Sequence, residues 1–131
     1  MLFLLDANLL SEIAQNPGGQ AARRFEASYD LCATSIIVAA EIRFGIAKRP
    51  DVRGSIRSAA LLERLPVLPL ESPAERHYGE LRAELERRGT PIGANDMLIA
   101  AHALALDCTL ATANEREFRR VLGLRVENWL V

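Results

Sequence analysis

Ten consecutive residues, Met97-Leu98-Ile99-Ala100-Ala101-His102-Ala103-Leu104-Ala105-Leu106, carry no formal charge apart from any on His102. A helix this apolar on every side must be wrapped by other elements, and at ten residues it is too short to span a bilayer. It follows a Pro91-Ile92-Gly93 turn, and Asp96 stands at its front end. There a carboxylate meets the unpaired N–H groups and the positive end of the helix dipole. On residue type alone Asp96 reads as an N-cap. The chain must therefore supply a cover for this helix, and the rest of the sequence shows which kind.

Leu2 to Leu5 is a short run apolar at every position, the pattern of a central parallel strand covered on both faces. It is cut off by Asp6 and Asn8 and lacks a basic leader, so it reads as a strand and not as a signal peptide. Helical stretches follow at Leu9–Ala14 and Gln20–Ser28, then a strand at Leu31–Ala33, and helices at Ile36–Lys48 and Val52–Arg64. Val67 to Leu70, bounded by Pro66 and Pro69, reads as an edge strand. Ser72-Pro73-Ala74-Glu75 reads as a capped helix start and Gly89 as its stop. After the apolar helix come a strand at Thr109–Thr112, a short helix at Asn114–Arg120 and a last strand at Arg125–Glu127. Strands alternating with helices predict an α/β fold, a parallel sheet with helices on both faces, in one domain over 1–131. Ligands of such sheets bind beyond the carboxyl ends of the strands, where Asp6 and the Thr112-Ala113-Asn114 turn fall.

The net charge is −1 and the pI about 6.1, which argues against binding nucleic acid by bulk charge. Cys32 and Cys108 have no metal-ligand spacing and read as free, buried thiols of a reducing cytoplasm.

Three acids sit in apolar surroundings: Asp6 after Leu2-Phe3-Leu4-Leu5, Glu41 inside Ile36-Ile37-Val38-Ala39-Ala40-Glu41-Ile42, and Asp96 before its helix. Each alone has a structural explanation, as a turn residue, a surface ion pair with Arg43 or Lys48, or a helix cap. Burying all three near one another requires a cation. Lys48 is the only lysine, so a metal is the economical counter-charge. Oxygen-only ligation selects a hard ion, Mg²⁺ or Mn²⁺. A receiver-like aspartyl-phosphate domain would need a lysine late in the sheet, and Lys48 lies on an early helix.

The segments Leu5-Asp6-Ala7-Asn8-Leu9-Leu10-Ser11-Glu12, Ala40-Glu41-Ile42-Arg43-Phe44-Gly45, Pro91 to Ala103, Thr112-Ala113-Asn114-Glu115-Arg116-Glu117-Phe118 and Gly123 to Trp129 resemble, in order and spacing, the PIN-domain ribonuclease toxins of the VapC type. The resemblance implies a three-layer α/β/α sandwich with a short, mostly parallel sheet, and a Mg²⁺- or Mn²⁺-dependent endoribonuclease. It also implies a cognate VapB-type antitoxin, a homodimeric toxin, and a target in tRNA or an rRNA loop. Carried over by position, the metal-binding acids are Asp6, Glu41 and Asp96. The family's fourth, often acidic, position falls on Asn114, with Glu117 the nearest acid but expected on an exposed helix beside Phe118. Ala7 and Val38 replace hydroxyl residues common in the family. Asn8 and Thr112 remain to orient carboxylate and water. Arg43 and Arg116 are candidates to grip RNA, whereas Arg119 and Arg120 read as solvated helix surface. His102, about 240° round the helix from Asp96, reads as a core or interface residue. Asn114 leaves a second reading open, a weakly active binding partner that helps its antitoxin repress their operon.

Overall fold

Three short runs in which every residue is buried make the centre of the molecule: β1 (Phe3–Leu5), β2 (Cys32–Ser35) and β4 (Thr109–Thr112). They are flanked by β3 (Val67–Leu68) and β5 (Arg125–Asn128), in the order β3-β2-β1-β4-β5, with every neighbouring pair parallel. This is a computed structural model describing residues 2–131. The expected sheet is present, and wholly parallel where a mostly parallel one was expected. β3 is an edge, with Val67 exposed.

Among the described residues six helices connect the strands: α1 (Ala7–Gln15), α2 (Gln20–Ala27), α3 (Ile36–Lys48), α4 (Arg53–Glu63), α5 (Ala74–Arg88) and α6 (Ala94–Leu106). The chain steps from β1 to β2 to β3, then returns past β2 and β1 to β4. Right-handed crossovers therefore put α1–α4 on one face and the α5–α6 pair on the other. The apolar run is the interior of α6, where Ile99, Ala100, Ala101, His102 and Ala103 are buried. A left-handed residue closes it, Asp107 at φ 52°, whose N–H returns to the carbonyls of the last turn. Gly89 does the same for α5 at φ 67°. Trp129 closes the other edge of the core, 1% exposed and edge-on to Phe3 at 5.4 Å.

The boundaries depart from expectation in three instructive places. α6 starts at Ala94, so Asp96 is not its cap but its third residue; Gly93 is the cap and offers no side chain. α5 starts at Ala74, with Pro73 as the flanking residue, and Ser72 Oγ donates to Glu75 Oε2 at 2.9 Å. The expected helix over 114–120 shrinks to a single 3₁₀ turn at Phe118–Arg120. Only Phe118 within it and Val121 just beyond it are buried enough to hold it, too little for a full helix.

Because the strand order reverses between β1 and β4, their carboxyl ends open a crevice between diverging connections. That crevice is where the acids meet.

Candidate active site

Asp6 follows β1 directly and caps α1. Its Oδ1 accepts from the Leu9 N–H at 2.8 Å and its Oδ2 from Thr112 Oγ1 at 2.5 Å. The Thr112 hydroxyl in turn accepts the Asn114 N–H at 2.9 Å, so the end of β4 clamps the end of β1 through one carboxylate. Asp6 is 3% exposed. Burial raises its pKa to about 6; the Thr112 and Leu9 hydrogen bonds oppose that rise, and the Glu41 charge adds to it.

Glu41 comes from the middle of α3. Its Oε1 is buried and has no hydrogen-bond partner, and burial pushes its pKa up. The side chain is otherwise half-open and lines a groove of about 490 Å³ with Ala7, Asn8, Ser11 and Gln15 of α1. Asp96, one turn into α6, faces the same crevice. Its pKa rises to about 7, first from burial, then from Glu117, whose carboxylate bonds to it, and then from the charges of Asp6 and Glu41. The three acids singled out in the sequence are thus mutual electrostatic neighbours.

Glu117 corrects the sequence reading. It is half-buried, and its Oε1 accepts the Gly93 N–H at 3.2 Å. The Arg120 guanidinium donates to the Pro91 carbonyl at 2.8 Å, so the 117–120 turn is stapled to the Pro-Ile-Gly turn ahead of Asp96. Asn114, by contrast, is exposed and engages Thr112 through its backbone. The sequence carried a usable signal: Phe118 had to be buried, and the residue before it could then turn back towards the acids. Asn8 lies exposed on the groove wall. Arg43 does not point to the acids; its Nη2 pairs with Glu63 Oε1 at 3.2 Å on the surface. Arg116 is exposed on the same turn as Glu117, and Arg119 is paired with Glu115 at 2.9 Å. His102 is a core residue, 1% exposed.

Comparison with known proteins sets this arrangement in a family. The PIN domain family matches residues 3–124. A ribonuclease VapC2 of Rickettsia felis is 36% identical over 98% of both chains. A tRNA(fMet)-specific endonuclease VapC of Shigella flexneri is 34% identical over 97% of both. The chain belongs to the PIN-domain family, among its VapC ribonucleases. In solved structures the toxin fold recurs in VapBC2 of Rickettsia felis bound to a DNA fragment from their promoter, with TM-score 0.90 and 34% identity over 98% of this chain and 99% of that one. It recurs again in VapBC-1 of nontypeable Haemophilus influenzae, with TM-score 0.87, 33% identity and full coverage of both. The PIN match takes in all four acids and stops just before β5.

PIN-domain nucleases generally use divalent metal ions, and the VapC donors here suit one in kind. They are oxygen-only, their neighbouring charges help raise the pKa of Asp6 and of Asp96, and one Glu41 oxygen is buried without a partner. None of the four is paired with a lysine or arginine among the described ion pairs. Among the described residues, no three acids, histidines or cysteines already stand at chelating distance, so side-chain adjustment accompanies any binding. No described helix is long and apolar enough to cross a membrane.

Proposed function

We propose that this chain is a Mg²⁺- or Mn²⁺-dependent endoribonuclease toxin that hydrolyses a phosphodiester bond in structured RNA and so inhibits translation. The observation that carries this reading is the crowding of four carboxylates, with an unpartnered Glu41 oxygen among them and, among the described residues, no ion pair from a lysine or arginine to relieve it. Asp6, Glu41 and Asp96 would hold the ion and Glu117 would complete the set in place of Asn114. A bound ion would supply Lewis acidity, neutralising the negative charge that builds on the phosphoryl oxygens and lowering the pKa of the attacking water. Thr112 holds Asp6 in one rotamer. The Gly93 N–H holds Glu117, and Asn8 on the groove wall is placed to orient water or a phosphate oxygen. Arg116, exposed beside Glu117, is the arginine best placed to meet RNA; Arg43 would first have to leave Glu63.

The relatives direct the choice of substrate and partner. One is a tRNA(fMet)-specific endonuclease and another is solved with its antitoxin on promoter DNA. Initiator tRNA is therefore the first substrate to test, a VapB-type antitoxin the expected partner, a homodimer the expected toxin state, and the cytoplasm the place of action. The alternative of a weakly active partner in operon repression drew its force from Asn114. Glu117 beside Asp96 removes that motive.

Purified toxin should cleave tRNA when given Mg²⁺ or Mn²⁺, stop when EDTA is added, and leave 5′-phosphate and 3′-hydroxyl ends. Asp6→Asn and Asp96→Asn should each lose about a thousandfold or more in rate, since an ion's charge stabilisation is worth several kcal/mol. Ends carrying 2′,3′-cyclic phosphate would mean that the RNA's own 2′-hydroxyl attacks, and would exclude the mechanism.

A further inference from the structure

The acids are not held alike. Asp6 is fixed by two hydrogen bonds of its own and Glu117 by the Gly93 N–H. Glu41 has a buried oxygen with no bond at all, so its position depends on where α3 sits. The start of α3 is tied down by a contact that the chemistry above does not use. Ser35 caps α3, its Oγ accepting from the Ile37 N–H at 3.1 Å, and the same oxygen lies 2.8 Å from Nδ1 of His102 on α6. Both side chains are fully enclosed, at 0% and 1% exposure.

The bond can be made in either tautomer of the neutral ring. A serine oxygen that has accepted one N–H still has its own proton to give and a lone pair to receive with, so it can donate to a bare Nδ1 or accept from a protonated one. Burial keeps the ring neutral by lowering its pKa, with the Pro69 carbonyl and Glu71 acting the other way. In either tautomer Ser35 Oγ and Nδ1 stay bonded, while Nε2 has no partner in hydrogen-bond geometry. The hydroxyl thus serves two elements at once, the first turn of α3 and the middle of α6.

The spacing gives the bond its leverage. Glu41 lies six residues beyond Ser35 on α3, and Asp96 lies six residues before His102 on α6. At 1.5 Å per residue, each acid is about 9 Å of stiff helix from the bond. A slip of α6 along α3 would then be transmitted almost undiminished to the separation of the two carboxylates.

We propose that His102 and Ser35 are positioning residues that set the register of α6 against α3, and with it the separation of Asp96 from Glu41. This rests on the metal-site reading above. Metal ligands lose their grip when the groups that orient them are removed, typically by 10–100-fold in affinity or activity. Here the orienting groups act through two helices.

The test is Mn²⁺ titration calorimetry on the full-length toxin, with thermal unfolding and cleavage kinetics alongside. His102→Leu fills the same space without the bond. It should weaken Mn²⁺ binding about tenfold and lower kcat by a similar factor, with KM for RNA little changed. His102→Asn keeps an acceptor near Nδ1 and should recover most of the loss. Should His102→Leu fail to fold, Ser35→Ala carries the test: it should weaken Mn²⁺ binding similarly, whatever Tm it gives up as a lost cap. His102→Leu or folded Ser35→Ala binding Mn²⁺ like the wild type would overturn the proposal. So would equal losses in His102→Leu and His102→Asn, which would mark mere core packing. Asp96→Asn separates the two readings. If it abolishes Mn²⁺ binding while His102→Leu leaves it intact, only the positioning role falls. If the wild type binds no Mn²⁺, the metal site falls and the positioning role with it.

Discussion

Asp6 and Glu41 face the same crevice, yet one is part of the scaffold and the other is not. Asp6 grows out of the sheet. It caps α1, receives the Thr112 hydroxyl and joins the ends of β1 and β4, so its carboxylate would be useful with no chemistry to perform. Glu41 stands on a helix whose neighbours give its buried oxygen nothing. A fold built for stability alone would not put a carboxylate there. The contrast teaches that a residue's structural usefulness does not argue against its being functional, whereas structural uselessness in a buried acid argues for it.

The largest effects should separate the two residues in stability while uniting them in catalysis. Glu41→Gln and Glu41→Met should both lose RNA cleavage about as fully as Asp6→Asn. Met should be at least as stable as Gln, because no hydrogen bond to the Oε1 position is lost and an amide there would still be unsatisfied. At position 6 the order reverses. Asp6→Asn keeps an oxygen for the Leu9 N–H and should exceed Asp6→Ala by about 1 kcal/mol, the usual worth of an N-cap. Denaturant unfolding of the four variants measures both differences; equal stabilities at position 6 would deny Asp6 its scaffold role.

A smaller effect concerns protons. Asp6 is raised from 3.8 to about 6 and Asp96 from 3.8 to about 7, chiefly by burial. In that window the folded chain binds more protons than the unfolded one, so these two groups lower stability as pH rises from about 4 to 7 and leave it flat above. In the presence of EDTA, Tm should therefore climb as pH is taken from 7 towards 5, and Asp6→Asn should flatten the climb. Adding Mn²⁺ at pH 7 should raise Tm in the same way. That gain should shrink at pH 5, where protons compete for the same oxygens. A metal gain independent of pH would dissociate the ion from these acids.

Much of this was legible in the chain, for identifiable reasons. The β1, β2 and β4 runs are apolar because both faces are covered, and Asp6 at the end of the first run marks the carboxyl edge of the sheet. The α6 run announces burial whatever surrounds it. What escaped was set by contacts between segments far apart in sequence. Asp96 lies inside α6 because Gly93, with no side chain to offer, still takes the cap position. Glu117 joins the acids because Arg120 and Gly93 fasten its turn to residues more than twenty positions earlier. Arg43 is drawn aside by Glu63 on another helix. Local patterns name elements and lone acids; they do not say which turn is stapled to which.

Thr112 offers the finest cut between scaffold and chemistry, since it touches Asp6 and no other acid. Its hydroxyl donates to Asp6 Oδ2 and accepts the Asn114 N–H, so Thr112→Val keeps the shape and leaves a part-buried N–H and a buried carboxylate oxygen each short of one bond. That should cost about 1–3 kcal/mol of stability. Losing a hydrogen bond that lowers the Asp6 pKa should also raise it further above 6. The direction of the activity change then follows: cleavage at pH 6 should suffer more than cleavage at pH 8, where the carboxylate is ionised in either protein. Thr112→Ser, which restores the hydroxyl, should recover the wild-type pH profile. A uniform drop at both pH values would mean that Thr112 serves the sheet alone and that Asp6 keeps its protonation behaviour without it.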